Sequence, residues 1–500
     1  MRKLQALALV CGLATVSGHA AGPAIDADRL LDHVRFLASD DLKGRGDGSP
    51  ELNRAAEYVA RQFNDIGLRP GGDGQGWFQP FELVAGIAVG RSNSLVLSDR
   101  GRSVRLELGS TYYPLSVVPN ESTDTPSAQM DGLPLVFAGF GLSAPDAGYD
   151  DYAGLDVAGK AVLIFSHEPQ ENDRSSRLNG SRPMRETTLV AKADAARTRG
   201  ARVLLVVSDP SHTIDEGLYR SFTVLPDADE VGMTVLRIRR SEMQPLLDLW
   251  SLDASAVQTD RDLRPRSKPL TTARVDYVES LAHDRREVRN VVGILPGADT
   301  AKTHQAIVIG AHYDHVGLGG RLSVTPERTG EIHNGADDNA SGTASIIEIA
   351  RAAVAQRARF PMTLVFVAFA GEERGLLGSG HYVTDPPVAM SETVAMLNLD
   401  MVGRSRGAVY VSGLGSGTLK IDLMAAARAT GGLDIKEAGP GAGRSDDSSF
   451  LDVRVPAVNF FTGFHADYHR PTDDWDKIDK DGTARVAALA LEFAARIAAR

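Results

Sequence analysis

From residue 288 onward, short runs of almost unbroken apolar residues alternate with segments of helical period. VRNVVGILPG, AIVIGAHYDH, MTLVFVAFA, AMLNLDMVG, AVYVSG and VPAVNFF are the apolar runs. A strand that is apolar on both sides must be covered on both sides. Strands separated by helices need crossover connections, which predicts a largely parallel central sheet packed between helices. Helices are expected over 341–356 and again after Leu376. In such a sheet the parallel strands end on one side, and polar residues at those ends converge on one crevice.

Five short acidic or histidine-bearing segments stand at those ends. They are AHYDH at 311–315, GADDNASG at 335–342, GEERGLLGS at 371–379, NLDMVG at 398–403 and FHADYHRP at 464–471. Alternation along a strand puts His312 and Asp314 on one side and Tyr313 on the other. His312 or His315 could bind a metal, with Asp314 suited to orienting an imidazole. Asp337 and Asp338 precede a helix. Two acids there could cap it, or one could bridge two cations at the short spacing of a two-metal hydrolytic site. Glu372 and Glu373 close a buried strand, where unpaired charge is costly. Adjacent side chains diverge, so one can bind metal while the other serves as a base. Asp400 ends another strand. His469, with Asp473 four residues on, and His465 complete the set. Taken singly, none of these features is specific. Together they supply a nitrogen and oxygen donor set suited to zinc and compatible with cobalt or manganese.

Composition narrows the alternatives. The chain has 500 residues, 43% hydrophobic and 24% charged, as expected of a globular protein with two or three domains. A formal charge of -11 without a Lys/Arg-rich run argues against a nucleic-acid partner. Arg2 and Lys3 precede an apolar stretch, Leu4 to Val16, and then Gly18-His19-Ala20-Ala21. That pattern reads as a signal peptide over 1–20, hence export to the periplasm or beyond. The single cysteine, Cys11, lies inside it, so cysteine ligands and nucleophiles are excluded after cleavage. No later run is long and charge-free enough to span a membrane. Neither G-x-G-x-x-G nor a P-loop supports a nucleotide site.

Residues 26–68 carry a helical period in Leu30, Leu31, Val34 and Leu37 and again in Ala55, Ala56, Val59, Ala60 and Phe63, with DLKGRGDGSP as the loop between. From about 90 to 285 short β-prone runs alternate with turn residues, so this stretch is expected to be β-rich with a few helices.

At the five segments, and at 26–85 and 288–495 more broadly, the sequence resembles the M28 peptidases, a family of co-catalytic zinc exopeptidases. The resemblance implies that His312 and Asp400 hold one zinc and Glu373 and His469 the other, with Asp338 bridging them. It implies Glu372 as general base, and Asp314 and Asp473 as partners of His312 and His469. Asp338 rather than Asp337 matches the motif by standing four residues before Gly342. A cis peptide after it, between Asp338 and Asn339, is a further expectation. The position after Asp446 is often His in the family and is Asp447 here. Residues 110–275 resemble the protease-associated domain often inserted in this family, through YDDYAGLDVAGKAVLI and KADAARTRGARVLLV. The implied order is a signal peptide at 1–20, the first part of the peptidase domain at 21–109, the insert at 110–275 and the catalytic part at 276–500. The implied activity is hydrolysis of N-terminal residues from peptides or small proteins by a monomeric, exported aminopeptidase with two zinc ions per chain. Carboxypeptidase, dipeptidase or glutaminyl-cyclase-like activity on the same fold, or a non-catalytic exported metal-binding protein, are the alternatives.

Overall fold

In a computed structural model, the described residues are 25–500 apart from 117–125, 172, 179–183, 210–230, 261, 321, 326–327, 416 and 440–443. The expected signal peptide at 1–20, with Cys11, lies outside them. The chain divides into two compact units, one made of 1–81 and 287–500 and the other of 82–286.

In the first unit a sheet of nine strands among the described residues runs through its middle. Eight of them lie in the order Arg69–Pro70, Leu281–Leu295, Thr363–Phe369, Ala306–His312, Thr393–Leu399, Ala457–Phe461, Ala408–Ser412 and Asp434–Glu437, and the ninth, Phe78–Val89, pairs with Leu281–Leu295 off this path. The four consecutive strands from Thr363–Phe369 to Ala457–Phe461 are mutually parallel. Antiparallel strands flank them on both sides. All four parallel strands read as apolar runs, as do VRNVVGIL and AVYVS in the antiparallel flanks, and every residue of Thr363–Phe369 and Ala306–His312 is buried. Hydrophobic cover on both faces is what such strands require. The fold class is therefore the α/β arrangement expected from the alternation.

The helices follow their local signals. Ala27–Leu37 is capped by Asp26, whose carboxylate accepts the N–H groups of Asp28 and Arg29. Pro50–Ile66 starts with Ser49 as cap and Pro50 in its first turn, and stops at Gly67 with φ 92. Gly342–Ala355 and Lys480–Ala498 are buried along most of their lengths. The Ala27–Leu37 helix is locked to Gly342–Ala355 by a polar knot. Glu348, 1% exposed, accepts Arg29 Nε and Nη2 at 2.8 and 2.7 Å and Arg351 Nε at 3.1 Å, and lies 3.3 Å from His33 Nε2.

The second unit is built on an eight-stranded sheet ordered Arg102–Leu106, Ser94–Asp99, Lys268–Glu279, Ala128–Phe137, Ala161–Phe165, Val203–Val207, Thr234–Ile238, Tyr112–Ser116. Hydrophobic clusters cover both of its faces. It spans 82–286, wider than the expected insert at 110–275. The reason is pairing: Ser94–Asp99 lies antiparallel to Lys268–Glu279, and Arg102–Leu106 antiparallel to Ser94–Asp99. Strands from before residue 110 thus belong to this sheet. No helix among the described residues is long and apolar enough to cross a membrane.

Hydrogen bonds from His33, Arg29 and Arg351 outweigh burial and hold Glu348 at about 2, below its ordinary 4.5. A depressed carboxylate contributes stability that is fully present above 4.5 and is lost as pH falls towards 2. Glu348→Gln should therefore lower the denaturation midpoint of the metal-free protein at pH 7. The gap to wild type should shrink between pH 4.5 and 2. A gap that stays constant through that window would show that the Glu348 charge is not what locks the helices.

A candidate two-metal centre

His312, Glu372, Glu373 and Asp400 sit where buried strands run out, while Asp338 and His469 come from a turn and a loop. His312 is the last residue of Ala306–His312, and Tyr313 N–H still bonds the Phe369 carbonyl at 2.9 Å. Asp400 follows Thr393–Leu399 directly, and its N–H bonds the Phe460 carbonyl at 3.1 Å. Glu372 and Glu373 come just after Thr363–Phe369, and His469 lies in the loop beyond Ala457–Phe461. Asp338 lies in the irregular turn 336–341 that opens the Gly342–Ala355 helix. Gly342 permits that helix to start against the neighbouring strand end, since a Cβ there would stand 2.1 Å from the Leu399 carbonyl oxygen.

The side chains meet in two groups joined by one carboxylate. His312 Nε2 lies 3.3 Å from Asp338 Oδ1, 3.4 Å from Asp400 Oδ1 and 4.0 Å from Glu372 Oε2. His469 Nε2 lies 3.2 Å from Asp338 Oδ2 and 3.0 Å from Glu373 Oε2. The two oxygens of Asp338 therefore face different imidazoles. The donor atoms of His312, Glu372 and Asp400 lie within 4.8 Å of one another, as do those of His315, Asp338, Glu373 and His469. The peptide bond between Asp338 and Asn339 is cis.

Four carboxylates packed this closely demand positive charge. Burial disfavours a charged His469, yet Asp338 and Glu373 carry it up to about 11. Burial likewise opposes protonation of His312, and Glu372, Asp400 and Asp338 outweigh it and raise it well above its usual range. Burial pushes Glu372 up, with Asp400 and Glu373 adding to it and His312 opposing. Asp400 Oδ1 is buried without a hydrogen-bond partner. A site that draws protons onto imidazoles and leaves a buried carboxylate oxygen orphaned fits a pair of dications. Its donors are all nitrogen and oxygen, the set that suits zinc.

The residues left open by the sequence have separate places. Asp337 turns away from the centre, accepting Gly403 N–H at 2.6 Å and Ser341 Oγ at 3.1 Å. His465 Nε2 stands 3.1 Å from Asp337 Oδ2, so these two alternatives face each other. His315 Nδ1 lies 2.7 Å from Glu373 Oε1, on the oxygen that His469 leaves free. The two expected orienting aspartates act mainly on backbone. Asp314 lies 3.7 Å from His312 Nδ1, and its own carbonyl is nearer to that nitrogen at 3.2 Å. Its carboxylate accepts the N–H groups of Glu372 and Glu373, both at 3.2 Å. The expected contact of Asp473 with His469 is not made. His469 has φ 51, and its Nδ1 stands 2.5 Å from the Leu322 carbonyl oxygen instead. Asp473 is drawn to Asp337 N–H at 2.9 Å, Asp338 N–H at 3.1 Å and Arg404 Nη2 at 2.8 Å. Asp447, the departure from the family pattern, is buried and accepts the Ser445 N–H at 3.3 Å.

Other residues of the site carried no warning. Arg45 is fully buried and donates to the carbonyls of Tyr313 at 2.8 Å, Asn334 at 2.7 Å, Gly335 at 2.9 Å and Leu37. It thereby ties the His312 strand end to the Asp338 turn. The only cue was an arginine between two glycines. Gly44 is needed there because a Cβ would meet the His333 carbonyl oxygen at 2.3 Å. Asn339 brackets Asp400: its Nδ2 donates to the Leu399 carbonyl at 3.0 Å and its Oδ1 accepts Met401 N–H at 3.2 Å. The loop at 322–324 holds His469 through Leu322 and through Ser323 Oγ and Val324 N–H, which donate to the His469 carbonyl at 3.1 and 3.2 Å.

Residues 290–494 match the model of peptidase family M28. An aminopeptidase of Bacillus subtilis, YwaD, is 25% identical over 422 residues, covering 80% of this chain and 77% of its own. A probable leucine aminopeptidase of Arthroderma otae is 28% identical over 219 residues, 42% of this chain and 57% of that protein. Among solved structures, an aminopeptidase from Aneurinibacillus sp. strain AM-1 superposes with a TM-score of 0.54 at 23% identity, covering 94% of this chain and 93% of that one. A zinc aminopeptidase from Bacillus subtilis gives 0.52 at 20% identity, with 95% of each chain covered.

The geometry separates His469 from His465. His469→Ala should reduce zinc uptake by the metal-free protein from two ions to one per chain, whereas His465→Ala should leave two. Stoichiometry by elemental analysis after dialysis decides between them, and the reverse result would move the ligand to His465.

Proposed function

We propose, from the match of residues 290–494 to the model of peptidase family M28, that the protein is an exported di-zinc aminopeptidase that removes N-terminal residues from peptides. One observation carries the reading. The Asp338 carboxylate presents one oxygen to His312 and the other to His469, and each imidazole has its own second carboxylate, Asp400 or Glu373. A single bridging carboxylate flanked by two such pairs is the donor arrangement for a co-catalytic pair of ions.

His312, Asp400 and Asp338 would hold one zinc, and Glu373, His469 and Asp338 the other. When bound, the pair supplies Lewis acidity at neutral pH, polarising a carbonyl oxygen and acidifying water. Glu372 does the proton work. Its carboxylate takes the proton of the attacking water and delivers it to the departing amine as the peptide bond breaks. Asp314, by accepting the Glu372 and Glu373 N–H groups together, fixes the divergence of the two side chains. One glutamate is thereby kept for metal and the other for the proton. Export rests on the charged and apolar pattern of residues 1–20. The aminopeptidase assignment draws support from the named activity of the relatives.

Glu372→Gln should still take up two zinc ions while kcat falls about a hundredfold or more. Near-normal kcat with both ions in place would remove Glu372 from its role. A panel of peptides with free and acetylated N-termini tests the bond choice. Free peptides should turn over faster, and preference for blocked ones would sink the aminopeptidase reading in favour of another peptidase activity on the same site.

A further inference from the structure

Asp473 is a fully buried carboxylate, and its three strong contacts all bear on the bridging turn or on its neighbours. Its Oδ2 accepts two successive backbone N–H groups, those of Asp337 and Asp338. Its own carbonyl accepts the Ala336 N–H at 3.0 Å. Its Oδ1 accepts Arg404 Nη2 at 2.8 Å, and Arg404 Nη1 lies 3.3 Å from Asp467 Oδ2. Asp467 is held in turn by Thr472 Oγ1 and Lys477 Nζ, each at 2.7 Å. Arg404 stands four residues after Asp400, and Asp473 four residues after His469. One relay of hydrogen bonds therefore joins three segments that each carry a proposed ligand.

We propose that Asp473, braced by Arg404, is a positioning residue for the Asp338 bridge: it fixes the backbone from which the bridging carboxylate springs, and so sets metal affinity at both clusters together. The proposal rests on the two-zinc reading of the site. The same device appears on the other side, where Asp314 accepts the paired N–H groups of Glu372 and Glu373. A carboxylate accepting two consecutive N–H groups holds a dipeptide in one orientation, and charge-assisted hydrogen bonds are stronger than neutral ones. The effect on metal runs through Asp338, because Asp473 touches no imidazole of the centre among the described residues.

The test is zinc binding to metal-free full-length protein, by competition with a chelating dye, for wild type, Asp473→Ala and Asp473→Asn. Thermal melting of each metal-free protein is recorded alongside. Wild type should take two ions. Asp473→Ala should bind both ions at least about tenfold more weakly, the usual cost of losing an outer partner of a ligand. Asp473→Asn keeps an oxygen that can accept both N–H groups, and should recover affinity to within a few-fold of wild type even though its amide now faces Arg404. If Asp473→Ala does not fold, Arg404→Leu carries the test: it removes the brace seen at 2.8 Å and should weaken both ions together, and wild-type affinity there would overturn the proposal. Arg404→Gln can still donate to Asp473 and should bind zinc within a few-fold of wild type. Wild-type affinity in Asp473→Ala with only a lowered melting temperature would overturn the proposal, leaving a purely structural role. Loss of affinity at one ion alone would also overturn it, as would Asp473→Asn binding as weakly as the alanine variant. Failure of wild type to bind two zinc ions would instead defeat the functional reading, and this proposal with it.

Discussion

Asp338, Glu372, Glu373 and Asp400 bring four carboxylates to one buried strand edge, where each ion costs several kcal/mol to desolvate. Their mutual repulsion has to be balanced by cations brought close in. The protein supplies some of that balance through His312 and His469, whose affinity for protons is driven up by the acids around them. Arg45 adds a guanidinium nearby that is spent entirely on carbonyl groups. The rest of the catalytic unit can be understood as a means of keeping this concentration of negative charge in place.

Backbone amides do most of the holding. Asp314 gathers the N–H groups of the glutamate pair, and Asp473 those of the aspartate pair. Asp337 and Asn339, on either side of Asp338, bond the stretch from Leu399 to Gly403 that carries Asp400. Ligand positions thus depend on a lattice of polar contacts between loops, while the parallel strands behind them supply a rigid base. Helix placement adds to that base through Glu348, which joins the first described helix to the one that follows the bridging turn.

The architecture of this unit was readable because buried parallel strands leave a strong trace. Runs such as TLVFVAFA have no polar face, and their ends could be named before any fold was known. The ligand candidates were legible for the same reason, since acids and histidines at the ends of apolar strands stand out. What the sequence could not convey was direction. Asp473 and His469 are four residues apart, a spacing that invites contact, yet a left-handed backbone at His469 turns its ring to Leu322. Asp337 and His465 looked like rivals for ligand places and instead face each other. Arg45 gave only a glycine-flanked cation, because its partners are carbonyl oxygens, which every residue owns. The edges of the second unit escaped for a similar reason. Strand pairing between 94–99 and 268–279 joins segments too far apart in the chain for any local pattern to announce.

The Arg45 guanidinium has a consequence for the order in which the protein can be completed. Its acceptor at Gly335 lies 290 positions further along the chain. A chain produced from its N-terminus at about 5–20 residues per second reaches that glycine about 15–60 s after Arg45 is made. The whole of 82–286 is made in that interval and has its own hydrophobic cores to close. The opening helices must therefore wait, with a cation among their apolar residues, until the bridging turn arrives. Asp473, which accepts the N–H groups of that turn, is made later still.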